Sequence, residues 1–315
     1  MATSVVATSY GGPEVLEVVE TDVPEPGPGQ VAVRVAAVGT NPVDYKLFSG
    51  NYGTDESQLP MAVGSEASGE VTAVGEGAVG PAGPVAVGDE VILYRAPGSY
   101  ASQLVVPADV VVPKPATLTF EEASGLMLTG TTAVHALTVT GVGAGDTVVV
   151  HGASGGVGLM AVQLAVADGA RVIGTASESA HAHLRELGAE PVVYGDGVLE
   201  RIRALAPDGV DAAIDTVGTD EAVDVSLALV ADRGRIVTIA NFRRGLELGI
   251  KVIGGAPGAD PGTEVRAAAR LQLVDRATKG TLTVLVAATY PLGEAADALR
   301  QLATGHTHGK IILVP

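Results

Sequence analysis

The sequence contains no cysteine. That absence excludes disulfides, a cysteine nucleophile and any metal site built on thiolates. Aromatic residues make up only 3% of the 315 residues, which gives no stacking signature for a substrate. Basic residues are scarce as well. Against 36 Asp and Glu stand 19 Lys and Arg, a net charge of −17, and no basic run offers a local exception. That balance argues against nucleic acid or an anionic lipid surface as partner. Long apolar runs are also lacking. Mean hydropathy is positive, at +0.35, and comes mostly from Ala and Val. Charged or turn-forming residues nevertheless interrupt each apolar stretch before it could span a bilayer, so no membrane partner is expected. Met1-Ala2-Thr3-Ser4-Val5-Val6 has no basic flank leading into a long apolar segment. The expected location is therefore cytoplasmic.

A chain of this length favours two domains. The first third alternates short β-branched runs (15–19, 31–38, 68–74, 89–93, 100–106) with Gly/Pro turns, which predicts an antiparallel, barrel-like β unit. Residues 75–88 read as a surface loop. From 120 the rhythm changes: a helix is predicted over 120–137, with Thr119 as N-cap ahead of Glu121-Glu122. Uninterrupted apolar strands then alternate with helices up to 240, the pattern of a parallel sheet covered on both faces. The tail adds helix, strand, helix and strand over 265–314. The fold class is α/β, a β-rich domain plus a Rossmann-type doubly wound sheet. The expected limits are 1–122 for the first domain, 123–258 for the cofactor domain and 259–315 for the return to the first.

The strongest motif is Thr147-Val148-Val149-Val150-His151-Gly152-Ala153-Ser154-Gly155-Gly156-Val157-Gly158. A buried strand runs through a glycine turn into a helix, where backbone N–H groups and the helix N-terminus meet a pyrophosphate. Gly155 and Gly158 take the second and third glycine places and Ala153 the first. The next strand ends at Ala176-Ser177. Where an NAD site commonly carries Asp or Glu for the ribose 2′-OH, Ala176 leaves the position uncharged, and Ser177 and Ser179 offer hydrogen bonds to a 2′-phosphate. No Lys or Arg follows immediately, so NADPH is preferred without the full electrostatic signature.

Several motifs in order, Tyr10-Gly11-Gly12-Pro13-Glu14-Val15-Leu16, Asn41-Pro42-Val43-Asp44, Ser49-Gly50-Asn51-Tyr52, Gly64-Ser65-Glu66-Ala67-Ser68-Gly69, His151 to Gly158, Asp215-Thr216-Val217-Gly218 and Gly305 to Lys310, resemble the zinc-independent quinone oxidoreductases of the medium-chain dehydrogenase/reductase superfamily. The resemblance covers the whole chain. It implies a GroES-like catalytic domain built from both chain ends, an inserted Rossmann domain, homodimerisation, and NADPH-dependent reduction of quinones or α,β-unsaturated carbonyls between the domains. It further implies that Asn41 and Thr132 contact the nicotinamide end and that Gly155, Gly156 and Val157 form the pyrophosphate loop. Tyr194 falls at an adenosine-side contact and Asn241 in a loop over the nicotinamide. Zinc-bearing relatives have a ligand where Ser65 stands, so no metal is expected.

Tyr52 is the candidate catalytic group, either hydrogen-bonding the substrate oxygen and donating a proton or covering the rim of the β unit. Asp44 and Lys46, two apart on a helical turn, diverge and read as structural or solvated. His151 reads as a packing or hydrogen-bonding residue rather than a base. Two alternatives remain: an enoyl-thioester reductase, which would want a basic entrance, and a cofactor-binding protein without turnover.

Overall fold

The computed structural model describes residues 1–51 and 53–315. The chain divides into two compact units, Met1–Leu128 with Leu271–Pro315, and Thr129–Arg270. Both dividing points fall inside helices, Met127–Thr140 and Thr263–Thr278. Among the described residues no helix is long and apolar enough to cross a membrane.

The first unit is built on a seven-stranded sheet. Along it run Val111–Pro113, Glu90–Tyr94, Glu66–Val74, Gln30–Gly39, Lys310–Val314 and Val286–Pro291, with Gln103–Pro107 also paired to Gln30–Gly39. Pairing is antiparallel except for the last two strands, which are parallel. The C-terminal strand therefore lies inside a sheet begun by the N-terminal third. Val33, Val38, Ala67, Leu93, Ile311 and Leu313 form part of its core. A smaller sheet joins Leu16–Thr21, Ala2–Ala7 and Met61–Ala62.

The second unit is an all-parallel sheet in the order Glu190–Val193, Arg171–Ala176, Thr147–His151, Ala212–Asp215, Ile236–Thr238, Lys251–Val252. Val148, Val149, Val150, Ile173 and Ile214 are fully buried, as continuous apolar strands covered on both faces require. Successive strands run outward in one direction from Thr147–His151 and then in the other from Ala212–Asp215. The gap between those two is the topological switch point, where ligands of open α/β sheets bind beyond the carboxyl ends.

Two local readings change. The helix expected over 120–137 is two helices, Phe120–Ser124 and Met127–Thr140. The first keeps its predicted cap: Glu122 N donates to Thr119 Oγ1 at 3.2 Å, and Thr119 N donates back to Glu122 Oε2 at 2.8 Å. It ends at Gly125, where a side chain would press on Lys310 Cγ and Val284 Cγ1 at 3.0 and 3.1 Å. The loop expected over 75–88 contains a short hairpin, Val79–Gly80 with Gly83–Pro84.

Candidate active site

The glycine turn sits at the switch point. Gly152 takes a left-handed φ of 73°, and Gly155 N–H closes the turn onto the Gly152 carbonyl at 3.0 Å. Gly155 is the N-cap of helix Gly156–Ala167 and offers no side-chain cap, so the first-turn amides keep no capping acceptor among the described residues. A Cβ on Gly158 would collide with the Gly152 carbonyl oxygen, and one on Gly174 would press on Ala153 at 2.7 Å. Backbone therefore approaches backbone where the sequence placed the pyrophosphate loop, and Gly155, Gly156 and Val157 open the helix there.

The neighbouring strand ends complete the rim. Ala176 is buried and uncharged. Ser177 Oγ and Ser179 Oγ share a hydrogen bond of 3.0 Å. Tyr194 follows the strand Glu190–Val193 and is 49% exposed. Its loop is braced by Arg201, whose guanidinium donates to the carbonyls of Val193 and Asp196, each at 2.8 Å. Sequence reasoning missed that brace.

On the other side of the switch point, Asp215 accepts from Val217 N and Gly218 N at 2.9 and 2.8 Å and from Thr238 Oγ1 at 2.7 Å. Thr216 Oγ1 donates to the His151 carbonyl at 2.7 Å. Asn241 opens the helix Phe242–Leu248 and donates to the Gly218 carbonyl at 3.1 Å and to Asp220 Oδ1 at 3.2 Å. His151 is buried, with Nε2 unpartnered among the described residues. Desolvation pushes its pKa down to about 4, against the opposing attraction of Asp215. It is therefore neutral, in keeping with a packing residue. Thr132, 6% exposed on helix Met127–Thr140, accepts from Arg266 Nη1 at 2.8 Å.

In the first unit, Asn41 caps the helix Pro42–Phe48, and its side chain enters a buried charged cluster. Lys310 Nζ donates to the Thr40 carbonyl and Asn41 Oδ1, each at 2.7 Å, and to Glu66 Oε1 at 3.0 Å. Asn41 Nδ2 donates to the same Glu66 oxygen at 2.9 Å, while Leu128 N donates to Glu66 Oε2 at 2.8 Å. Both ends of the Asn41 carboxamide are thus held. Asp44 faces elsewhere: it accepts from Asn41 N at 2.8 Å and from Tyr100 Oη at 3.1 Å. Burial pushes its pKa up to about 7, partly offset by the Asn41 hydrogen bond and Lys310. Lys46 is lowered by desolvation. Tyr52 lies outside the described residues. No group of three or more His, Cys, Asp or Glu able to hold a metal occurs among the described residues, and the Ser65 hydroxyl is buried without a partner there.

Comparison with known proteins agrees with this architecture. The family described as "Alcohol dehydrogenase GroES-like domain" matches residues 27–116, and "Zinc-binding dehydrogenase" matches 156–255. A quinone oxidoreductase of Pseudomonas aeruginosa is 35% identical, with 100% of each chain covered. The mouse synaptic vesicle membrane protein VAT-1 homolog is 30% identical over 98% of this chain and 83% of its own length. The crystal structure of Escherichia coli quinone oxidoreductase complexed with NADPH superimposes with a TM-score of 0.85 at 29% identity, covering 99% of this chain and 100% of that one. With two domain matches in the right order and full-length likeness to a quinone oxidoreductase, the chain belongs to the quinone oxidoreductase family of the medium-chain dehydrogenase/reductase superfamily.

Proposed function

We propose that this chain is an NADPH-dependent, metal-free reductase of quinones or α,β-unsaturated carbonyl compounds, working as a homodimer. The observation that carries the reading is the glycine turn at the switch point, with an uncapped helix N-terminus and the buried, uncharged Ala176 closing the adjacent strand. These residues fit a dinucleotide: amides for the pyrophosphate, close backbone approach at Gly158, and no carboxylate at Ala176 to repel a 2′-phosphate. The solved relative with NADPH supports that choice of cofactor. Lys251–Val252 is the last strand of the parallel sheet, the edge at which self-pairing across a two-fold axis is proposed, and the Asp260 backbone already bridges its Ile253 end.

NADPH, when bound, supplies the hydride. The protein's own work is to bind and orient. Gly155, Gly156 and Val157 hold the pyrophosphate. Ser177 takes the ribose phosphate and Tyr194 the adenosine side, while Thr132, Asn241 and the Asn41 segment hold the nicotinamide end. Tyr52 is assigned the proton donation to the reduced product. Because Asn41's carboxamide is bonded to Lys310 and Glu66, its part is to fix the backbone of its segment. Steady-state oxidation of deuteride-labelled NADPH with a panel of quinones and enones tests the reading. Turnover with deuterium delivered to carbon of an enone is expected. No turnover across the panel, or product without label under conditions excluding exchange, would overturn it.

A further inference from the structure

Arg266, in the first turn of helix Thr263–Thr278, is 9% exposed, yet no carboxylate pairs with its guanidinium among the described residues. Asp260 attracts it without a direct ion pair, so the buried guanidinium depends on its directional hydrogen bonds. Nη1 donates to Thr132 Oγ1 at 2.8 Å, and Nε donates to His135 Nδ1 at 3.3 Å. Thr132 and His135 are three apart on one helix face. With Nδ1 accepting, His135 carries its proton on Nε2 and donates it to Asp260 Oδ2 at 3.1 Å. Asp260 in turn accepts from Gly262 N at 2.8 Å through Oδ1. Gly262 is left-handed at φ 58°, and a Cβ there would overlap the His135 ring, so the loop sits directly on the imidazole. The result is a hydrogen-bonded rod, Asp260–His135–Arg266–Thr132, anchored in a loop at one end and finishing on a threonine hydroxyl at the other.

We propose that Arg266 is a positioning residue: it fixes the Thr132 side chain for the nicotinamide end of the cofactor, and is itself aimed by His135 and Asp260. The proposal rests on the reading of Thr132 given above. It predicts a defect confined to the nicotinamide end, which a general loss of packing would not produce.

The test compares binding of NADPH with binding of 2′-phospho-ADP-ribose, which lacks the nicotinamide, by titration of the full chain and its variants. Arg266→Met should weaken NADPH about tenfold and leave 2′-phospho-ADP-ribose unchanged, with Arg266→Lys recovering part of the loss. Thr132→Val should show the same selective loss, and the double variant should be no worse than either alone. If Thr132→Val binds NADPH normally, the reading of Thr132 and the inference fall together. If Thr132→Val is selectively weakened and Arg266→Met is not, or the two losses add, the inference alone falls. Should Arg266→Met fail to fold, Arg266→Lys and Asp260→Ala decide, since the Asp260 side chain is 56% exposed. Asp260→Ala is expected to give about a threefold selective loss, and equal loss of both ligands, or none, overturns the proposal.

Discussion

Lys310 and Glu66, 244 residues apart in the sequence, form an ion pair at 3.0 Å with side-chain exposures of 5% and 0%. Every proton of the ammonium has an acceptor: Glu66, the Thr40 carbonyl and Asn41 Oδ1. Removing one member strands the other in a dry site. Lys310→Met should therefore cost about 3–5 kcal/mol. Lys310→Met combined with Glu66→Gln should cost clearly less than the two single losses added together. Urea denaturation of the three variants measures this, and strict additivity would refute the coupling.

Asp44 sets a pH dependence of stability. Its carboxyl is raised by burial from the ordinary 3.8 to about 7. Between those values the unfolded chain gives up the proton while the folded chain keeps it. The group therefore disfavours the fold increasingly as pH rises through that window, and by a constant amount above it. The melting temperature of the wild type minus that of Asp44→Asn should fall between about pH 4 and pH 7 and level off beyond. A difference that is flat with pH would remove Asp44 as the source.

The glycine turn makes a steric prediction. A methyl group at position 158 meets the Gly152 carbonyl oxygen and the Ala153 backbone, neither of which can swing aside like a side chain. Gly158→Ala should destabilise the protein by about 1–3 kcal/mol and weaken NADPH at least tenfold. Gly156→Asp, with a carboxylate at the helix entrance, should abolish binding while leaving the fold intact. Thermal melts beside fluorescence titration separate the two effects, and normal NADPH affinity in Gly158→Ala would count against the assigned pyrophosphate loop.

Cofactor choice should be real but modest. Ser177 and Ser179 offer hydroxyls and no charge, so NADPH is expected to bind tighter than NADH by less than the roughly 1.5–3 kcal/mol of a good charged hydrogen bond. Ser179→Arg should widen the margin. Titration showing equal affinities in the wild type, or an unchanged ratio in the variant, would overturn the placement of the ribose phosphate.

Much of this was legible in the sequence because the constraint was local. The glycine turn announces itself, since glycine suits both the left-handed turn at Gly152 and the close backbone approach at Gly158. The Thr119–Glu122 capping box lies within four residues, and the apolar parallel strands need no partner to be recognised. The Gly125 break was not legible, because what leaves no room for a side chain there is the stem of Lys310, 185 positions away, together with Val284. Nor was the strand Ala2–Ala7, whose short Ala, Thr, Ser and Val run says little until Leu16–Thr21 pairs with it. Arg266 was missed for the same reason: in sequence it is one more helix-face cation, and only tertiary contact places it on Thr132 and His135.

The position of Lys310–Val314 between Gln30–Gly39 and Val286–Pro291 also imposes an order on biosynthesis. At about 5–20 residues per second, the ribosome delivers this inner strand on the order of tens of seconds after the strand it must join. Throughout that interval the backbone at Val38 and Gly39 lacks its neighbour, and Glu66 waits for the Lys310 ammonium. The six parallel strands, by contrast, emerge as one uninterrupted stretch from 147 to 252. The nascent protein therefore acquires a complete nucleotide-type sheet before its first sheet can be closed, and Lys310–Val314 acts as the latch of that first sheet.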